Sequence, residues 1–137
     1  MSVDVHTVRE PRAVWQAIWK GMKCRCPNCG KGKLFRAYLK VADTCANCGE
    51  ELKWHRADDM PPYISIIIVG HLIIGVMMEL ESVAPQPPWV YLATMVPAAL
   101  LLPLLMLPSI KGGVVGLQWA NYMHGFDPRQ RPAPTVA

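Results

Sequence analysis

The sequence predicts a mainly α-helical membrane protein, in which a two-helix transmembrane hairpin follows a small cysteine-containing N-terminal domain. Two long stretches lack charged residues, and all five cysteines lie within residues 24–48. Hydrophobic residues make up 52% of the 137 residues and charged residues 18%, which excludes a disordered polyelectrolyte. The thirteen prolines exclude a single long coiled coil. A chain of this length fits one ordinary domain.

The first predicted membrane helix covers residues 60–81. No Asp, Glu, Lys or Arg occurs between Met60 and Met78. About 20 helical residues cover the roughly 30 Å of a bilayer's hydrocarbon layer. Pro61-Pro62 suits a helix start, where the missing N–H donors cost little. The isoleucine-rich run at 64–68 favours a strand by propensity alone, but a strand in a soluble protein would end within about 10 residues.

The second predicted membrane helix covers residues 88–109 and follows a short loop at 82–87. Glu81 is the last charged residue before Lys111, and Pro87-Pro88 opens the stretch between them. We expect the internal prolines to bend this helix, and a neighbouring helix to satisfy the carbonyl groups that they free. These prolines are Pro97, Pro103 and Pro108.

The charges that flank the two stretches predict their orientation. Eleven Lys and Arg residues precede Met60, none lies in the loop, and three follow Ile110. The positive-inside rule therefore places both termini in the cytoplasm and the loop at 82–87 in the periplasm. The short apolar stretch at 13–19 lacks the pattern of a cleaved secretory signal.

The cysteines form two copies of one motif, Cys26-Pro-Asn-Cys29-Gly and Cys45-Ala-Asn-Cys48-Gly. Two Cys-x-x-Cys pairs at this spacing are typical of a tetrahedral four-thiolate zinc site. The glycine after each pair permits a tight turn that points backbone N–H groups at the sulfurs. Residues 33–41 between the motifs are strand-like and can form a hairpin. The sequence therefore predicts a small N-terminal cytoplasmic zinc ribbon at 24–56, with structural Zn²⁺ as its cofactor.

The cysteines and the basic residues also fit other functions. Four thiolates also suit iron, so the ligands alone leave the metal open. A haem attachment site needs His after the second cysteine, where this chain has Gly, and a thioredoxin-type pair occurs once within a βαβ pattern. We expect Cys24 and His55 to lie outside the site. The basic residues offset the net charge of −2 on the site or face anionic lipid headgroups; we expect no nucleic acid partner, because no aromatic-interleaved basic surface is evident.

Two further features concern helices. The segment 1–23 contains an amphipathic helix predicted to lie in the headgroup layer, with an apolar face of Val14, Trp15, Ile18, Trp19 and Met22. His71 lies near the middle of the first membrane helix, and we expect it to bond a backbone carbonyl of the second helix or of a partner subunit. Its alternative, haem or copper ligation, finds no second histidine in the two spans.

The end of the chain is predicted to form a cytoplasmic or interfacial helix at 110–125 and a proline-rich disordered tail at 126–137. Gly112 and Gly116 lie four residues apart, a spacing that allows close approach of another helix.

The cysteine motifs and three other segments together resemble the DUF983 family of small bacterial membrane proteins. Besides Cys26–Phe35 and Cys45–Gly49, the segments that carry this resemblance are His55–Tyr63, Ile68–His71 and Lys111–Trp119. The resemblance covers about residues 13–126. In the alphaproteobacterial branch that the chain resembles most, such genes commonly neighbour those for aa3-type cytochrome c oxidase. The resemblance implies a bacterial inner-membrane protein. The four cysteines are the only residues for which it implies a defined role, that of metal ligands.

The leading hypothesis is therefore a non-catalytic accessory or assembly subunit of a respiratory aa3-type cytochrome c oxidase. Its expected partners are membrane lipids and the integral membrane subunits of that oxidase. The alternative is an assembly factor that handles copper or zinc, with possible ligands Cys24, His55, Asp58, Asp59 and His124. Four paired thiolates bind zinc too tightly for easy transfer, which argues against this alternative. An enzyme is not predicted, because no Ser/His/Asp set, phosphate loop or paired carboxylates can be placed.

Overall fold

A computed structural model describes residues 11–131 and confirms the mostly helical class. The elements in chain order are α1 (Val14–Met22), β1 (Phe35–Ala37), β2 (Lys40–Val41), α2 (Met60–Val83) and α3 (Pro88–Ala120), followed by 3-10 helices at His124–Phe126 and Pro128–Gln130. Residues 1–10 of the predicted N-terminal segment and residues 132–137 of the predicted tail lie outside the described part.

The two long helices are α2 and α3, and each is long and apolar enough to cross a membrane. We call α2 together with α3 as far as Ile110 the apolar hairpin. No residue in the most apolar 18-residue window of α3 is buried, and only 11% of the corresponding window of α2 is. The buried residues of α2 recur every four positions, as one face of a helix does, at Pro61, Ser65 and Val69. The apolar hairpin therefore leaves most of its apolar surface uncovered.

The predicted break between a membrane helix at 88–109 and a separate helix at 110–125 is wrong. The structure has one continuous helix, α3, of 33 residues and about 50 Å. Its last ten residues, Lys111–Ala120, are all buried except Leu117. The helix continues past the end of the apolar stretch because neighbouring elements cover it there, so it has no reason to end at the first charged residue.

Helix α1 packs on this buried end of α3 through its smallest residues. A methyl group on Gly112 would overlap the carbonyl oxygen of Gly21, and one on Gly116 would overlap the carbonyl oxygen of Ala17. A step of four residues along α1 thus matches a step of four along α3 in the opposite direction, so the two helices run antiparallel. The predicted close approach at Gly112 and Gly116 is confirmed, and the approaching helix belongs to the same chain. The headgroup position of α1 stays a prediction.

The cysteine segment shares one core with α1 and the end of α3. Leu34, Leu52 and Val115 are fully buried there beside Phe126. We call the unit formed by α1, residues 23–58 and Lys111–Arg131 the ribbon module. The prediction of disorder from residue 126 onward is wrong over 126–131, because the Phe126 side chain anchors this segment in the core. Arg131 adds a hydrogen bond from Nε to the Gly125 carbonyl at 3.0 Å.

Polar contacts fix the ribbon module to α3 at defined positions. The side-chain amide of Gln118 accepts a hydrogen bond from the Arg56 backbone N–H and donates one to the Arg56 carbonyl, both at 2.9 Å. Lys111, which is 9% exposed, pairs its Nζ with Asp58 Oδ1 at 3.2 Å. The chain that leads into α2 is therefore held beside α3 by both its backbone and its charge.

The hydrogen-bond partner of His71, in the middle of α2, differs from the predicted one. Nδ1 of His71 lies 2.8 Å from the carbonyl oxygen of Ile67, one turn earlier on the same helix, and the residue is exposed. The Ile67 carbonyl of the same helix thus takes the place of the carbonyl that was expected from a second helix. Gly70 and Gly75 on α2 have open space where a side chain would begin. The outer surface of α2 is therefore unpartnered around His71.

Candidate metal centre

The two cysteine motifs form a matched pair of turns. Gly30 and Gly49 follow the motifs and take φ values of 69° and 73°, a left-handed conformation that glycine adopts without strain. The Gly30 N–H donates to the Cys26 carbonyl at 2.8 Å, and the Gly49 N–H donates to the Cys45 carbonyl at 2.9 Å. The predicted turn after each pair is confirmed. Each turn brings its two sulfurs to the same side of the chain.

Between the turns, β1 and β2 form the predicted hairpin in antiparallel register. Phe35 pairs with Val41 and Ala37 with Lys40, with an irregularity between Phe35 and Ala37. An isolated bridge pairs Arg25 with Lys33 ahead of the hairpin, and a second pairs Thr44 with Glu51 around the second motif. The hairpin returns the chain to the first motif, so that Cys29 and Cys45, 16 positions apart in sequence, meet.

The four predicted ligand cysteines are brought together. Sγ atoms of Cys26, Cys29, Cys45 and Cys48 all lie within 4.8 Å of one another. Sγ of Cys26 lies 3.7 Å from that of Cys48, and Sγ of Cys29 lies 3.7 Å from that of Cys45. A tetrahedron with metal–sulfur bonds of about 2.3 Å has edges of about 3.8 Å. The cluster therefore has the dimensions of a four-thiolate site, and it is the one cluster of candidate ligands within residues 11–131.

Backbone N–H groups surround the sulfur of Cys29. The N–H groups of Gly32 and Lys31 both donate to Cys29 Sγ at 3.5 Å, and they lower the pKa of this thiol to about 6. Hydrogen bonds from the backbone favour the thiolate over the thiol, as a metal ligand requires. Desolvation by burial raises the pKa of Cys26, which is 0% exposed. A bound cation would reverse that effect by pairing with the buried thiolate.

Gly32 also belongs to the site, although it lies outside both cysteine motifs. A side-chain carbon on Gly32 would overlap Cys45 Sγ, so the sulfur occupies the space that any other residue would fill. The Gly32 carbonyl also accepts the N–H of Cys26 at 2.9 Å. Its signal in the sequence is a glycine three positions after the second cysteine of the first motif. That signal was available, but it has meaning only once the second motif is known to fold over the first.

The other candidate ligands do not join the cluster. Cys24 lies outside the four-sulfur group, as expected for it and for His55. Nδ1 of His55 lies 3.1 Å from the Leu52 carbonyl oxygen, and Asp58 pairs with Lys111. Neither Asp59 nor His124 forms part of a ligand cluster among the described residues. The structure thus gathers four sulfurs and disperses the residues that a second metal site would need.

A site with four protein thiolates has no open coordination position. Structural zinc sites are closed in this way, whereas catalytic zinc sites keep one position for water or substrate. Two ligands come from each side of the hairpin, so a metal bound by all four would join the turn at Cys26–Cys29 to the turn at Cys45–Cys48. This arrangement can bind and hold a metal ion that stabilises the ribbon module.

The fold and the site together define a small, mostly helical protein that joins a four-cysteine ribbon to two long apolar helices. The chain belongs to the family described as Protein of unknown function (DUF983), whose model matches residues 35–119, more than half of the chain. The match begins after Cys26 and Cys29 and includes Cys45 and Cys48. Searches among curated proteins and among solved structures each found no match.

Proposed function

We propose that this protein is a non-catalytic accessory or assembly subunit of a respiratory aa3-type cytochrome c oxidase. In this proposal the apolar hairpin spans the bacterial inner membrane, and the ribbon module, held by structural zinc, lies in the cytoplasm. The observation that carries the proposal is the change of environment along α3: no residue of its apolar stretch is buried, whereas Lys111–Ala120 are all buried except Leu117.

This change of environment supports a membrane position for the apolar hairpin. A helix in the core of a soluble protein would be largely buried, but the most apolar window of α3 is wholly unburied. Exposing so much contiguous apolar surface to water is unfavourable, whereas in lipid it costs nothing. Lys111 and Asp58 mark the level at which charged groups and a packed core begin.

The uncovered surface of the hairpin supports a role beside larger membrane subunits. Lipid tails are as apolar as leucine, so two helices in lipid gain little from apolar burial alone and pack through small or polar residues. Gly75 and His71 lie one turn apart on α2, and space is open beside Gly75. This surface suits a helix of an integral membrane subunit. The oxidase is proposed because the chain resembles family members whose genes neighbour those of the oxidase.

The closed sulfur site supports structural zinc over metal transfer. Four thiolates at tetrahedral spacing leave no position through which a metal could be handed on. A transfer protein would need a second set of ligands nearby, and Asp58 is already paired with Lys111. Metal analysis of the purified protein separates the two functions: one tightly held zinc per chain supports the structural role, and exchangeable copper supports metal handling.

We predict that the segment before α2 and the segment after α3 both lie in the cytoplasm. Reporter fusions after Glu50 and after Tyr122 are expected to report a cytoplasmic position, because eleven basic residues precede α2. A fusion within residues 82–86 is expected to report the periplasm. A periplasmic signal from the fusion after Glu50 would contradict the orientation.

The proposed partner is tested by affinity purification of the tagged full chain from gently solubilised membranes. Oxidase subunits are expected to be enriched over a control purification of an unrelated two-span protein that carries the same tag at the same abundance. A His71→Leu variant is expected to insert equally well and to recover less of the oxidase. Equal recovery of oxidase subunits with the unrelated protein would overturn the proposal.

A further inference from the structure

We call residues 33–41, which contain β1 and β2, the ribbon hairpin. Its tip contacts α3 within the apolar stretch of that helix. Pro108 has no backbone N–H, so the carbonyl of Leu104, four residues earlier, has no donor within the helix. The hydroxyl of Tyr38, which lies between β1 and β2, donates a hydrogen bond to this carbonyl. A neighbouring helix is the expected partner of such a freed carbonyl, but here a tyrosine of the ribbon takes that place.

This contact fixes how far the hairpin extends along the membrane helix. At the other end of the hairpin, Leu34 lies against Gly112 of α3. From Gly112 to Leu104 the helix rises about 12 Å, which is close to the reach of the four extended residues from Leu34 to Tyr38. The hairpin of β1 and β2 therefore runs alongside α3, from the packed core of the ribbon module towards the apolar stretch of α3.

The same geometry sets how deeply the hairpin of β1 and β2 lies in the membrane. Leu104 lies seven residues, about 10 Å, from Lys111, where charged groups begin. The headgroup region on each side of a bilayer is about 5–8 Å thick. With the apolar hairpin in a membrane, the Tyr38 hydroxyl reaches the edge of the hydrocarbon layer, and the rest of the hairpin lies among the headgroups.

The exposed side chains of the hairpin have the chemistry of that layer. Lys33, Arg36 and Lys40 are exposed, and neither Arg36 nor Lys40 forms an ion pair with another residue in the range 11–131. No Asp or Glu occurs from residue 11 to residue 42. At the tip, Tyr38 is 58% exposed, and Leu39 takes a left-handed φ of 58° that places a leucine where glycine would be easier. An amphipathic tyrosine with flanking basic residues is typical of a membrane interface.

We propose that the hairpin at residues 33–41 binds the phosphate groups of anionic phospholipids in the cytoplasmic leaflet. Arg36 and Lys40 provide the positive charge, while Tyr38 and Leu39 hold the tip against the hydrocarbon edge. The binding of lipid would thereby fix the ribbon module against the bilayer. This inference rests on the membrane position proposed above and not on the identity of the protein partner.

Lipid suits this surface better than an acidic protein segment does. The surface is continuous with the apolar hairpin through the Tyr38–Leu104 contact, so an occupant must fit beside a helix that is itself covered by lipid. Each lysine or arginine near an anionic bilayer strengthens binding by about fivefold. Two basic residues on a hairpin held in that layer are therefore sufficient for a marked preference for anionic lipid.

The test compares phosphatidylglycerol with phosphatidylcholine as ligands of the detergent-solubilised full chain, with bound lipids counted by native mass spectrometry. The wild type is expected to bind phosphatidylglycerol more tightly than phosphatidylcholine. Arg36→Gln/Lys40→Gln is expected to bind phosphatidylglycerol more weakly and to lose most of the preference for it over phosphatidylcholine. The matched control is Lys31→Gln/Lys53→Gln, which removes the same charge beside Cys29 and next to Trp54, and it is expected to retain the preference.

Equal binding of the two lipids by the wild type, or an equal loss in the control variant, would overturn the proposal. Loss of a protein partner but not of lipid in the Arg36→Gln/Lys40→Gln variant would also overturn it and make the occupant a protein. Failure of the membrane position itself is recognised separately, because the chain would then be released from membranes by alkaline carbonate.

Discussion

Cys26→Ser is expected to abolish stoichiometric metal binding and to unfold the ribbon module. Cys26 is 0% exposed, and its sulfur lies 3.7 Å from that of Cys48 across the site. A four-thiolate zinc site contributes about 10–16 kcal/mol that is coupled to folding, more than the whole stability of many small domains. The measurement is zinc per chain by elemental analysis, together with the rate of proteolysis within residues 24–56.

Cys24→Ser provides the matched control, because this thiol lies outside the four-sulfur group and is only two residues away. It is expected to keep one zinc per chain and the proteolysis rate of the wild type. Full zinc retention in Cys26→Ser, or equal zinc loss in the two variants, would contradict the ligand assignment.

Gly112→Ala is expected to force α1 away from α3. The added methyl group would overlap the carbonyl oxygen of Gly21, a backbone atom that no change of rotamer can move. Overpacking in a close contact typically costs about 1–3 kcal/mol, and here the neighbour is a rigid helix. We expect the free energy of unfolding of the ribbon module to fall by at least this amount. Urea denaturation of the detergent-solubilised chain measures it.

Gly75→Ala makes the same substitution where a side chain meets no atom within 4 Å. Alanine is favoured over glycine within a helix by up to about 1 kcal/mol, so this control is expected to be neutral or slightly stabilising. A similar loss of stability in both variants would mean that the contact between α1 and α3 has no special role.

Features set by local spacing could be predicted from the sequence. The Cys-x-x-Cys-Gly repeats predict both the four-sulfur cluster and the left-handed glycines, because a metal site fixes its ligands within a few residues. The charge-free stretches predict two long apolar helices, since length and composition alone identify them.

Features that depend on contacts between distant residues could not be predicted. The uninterrupted α3 depends on α1, which packs against Gly112 and Gly116 from more than 90 positions away in sequence. Phe126 folds into the core among prolines that, taken locally, indicate disorder. The donor that satisfies Leu104 comes from Tyr38, 66 positions away, and no local pattern links the two residues. The acceptor for His71 is the Ile67 carbonyl of its own helix, and the position of His71 in the middle of a span does not distinguish this acceptor from one on a second helix.

The central claim is that α3 lies in two environments. Its residues before Lys111 lie in lipid, and its residues from Lys111 onward lie in a metal-stabilised core. Amide hydrogen exchange of the full chain in lipid nanodiscs, before and after removal of the metal by a chelator, tests this most directly. We expect residues 92–104 to stay protected throughout, because lipid covers them, and residues 111–120 to exchange faster once the metal is removed. Unchanged protection of residues 111–120 after metal removal, or rapid exchange of residues 92–104 in the nanodisc, would contradict the claim.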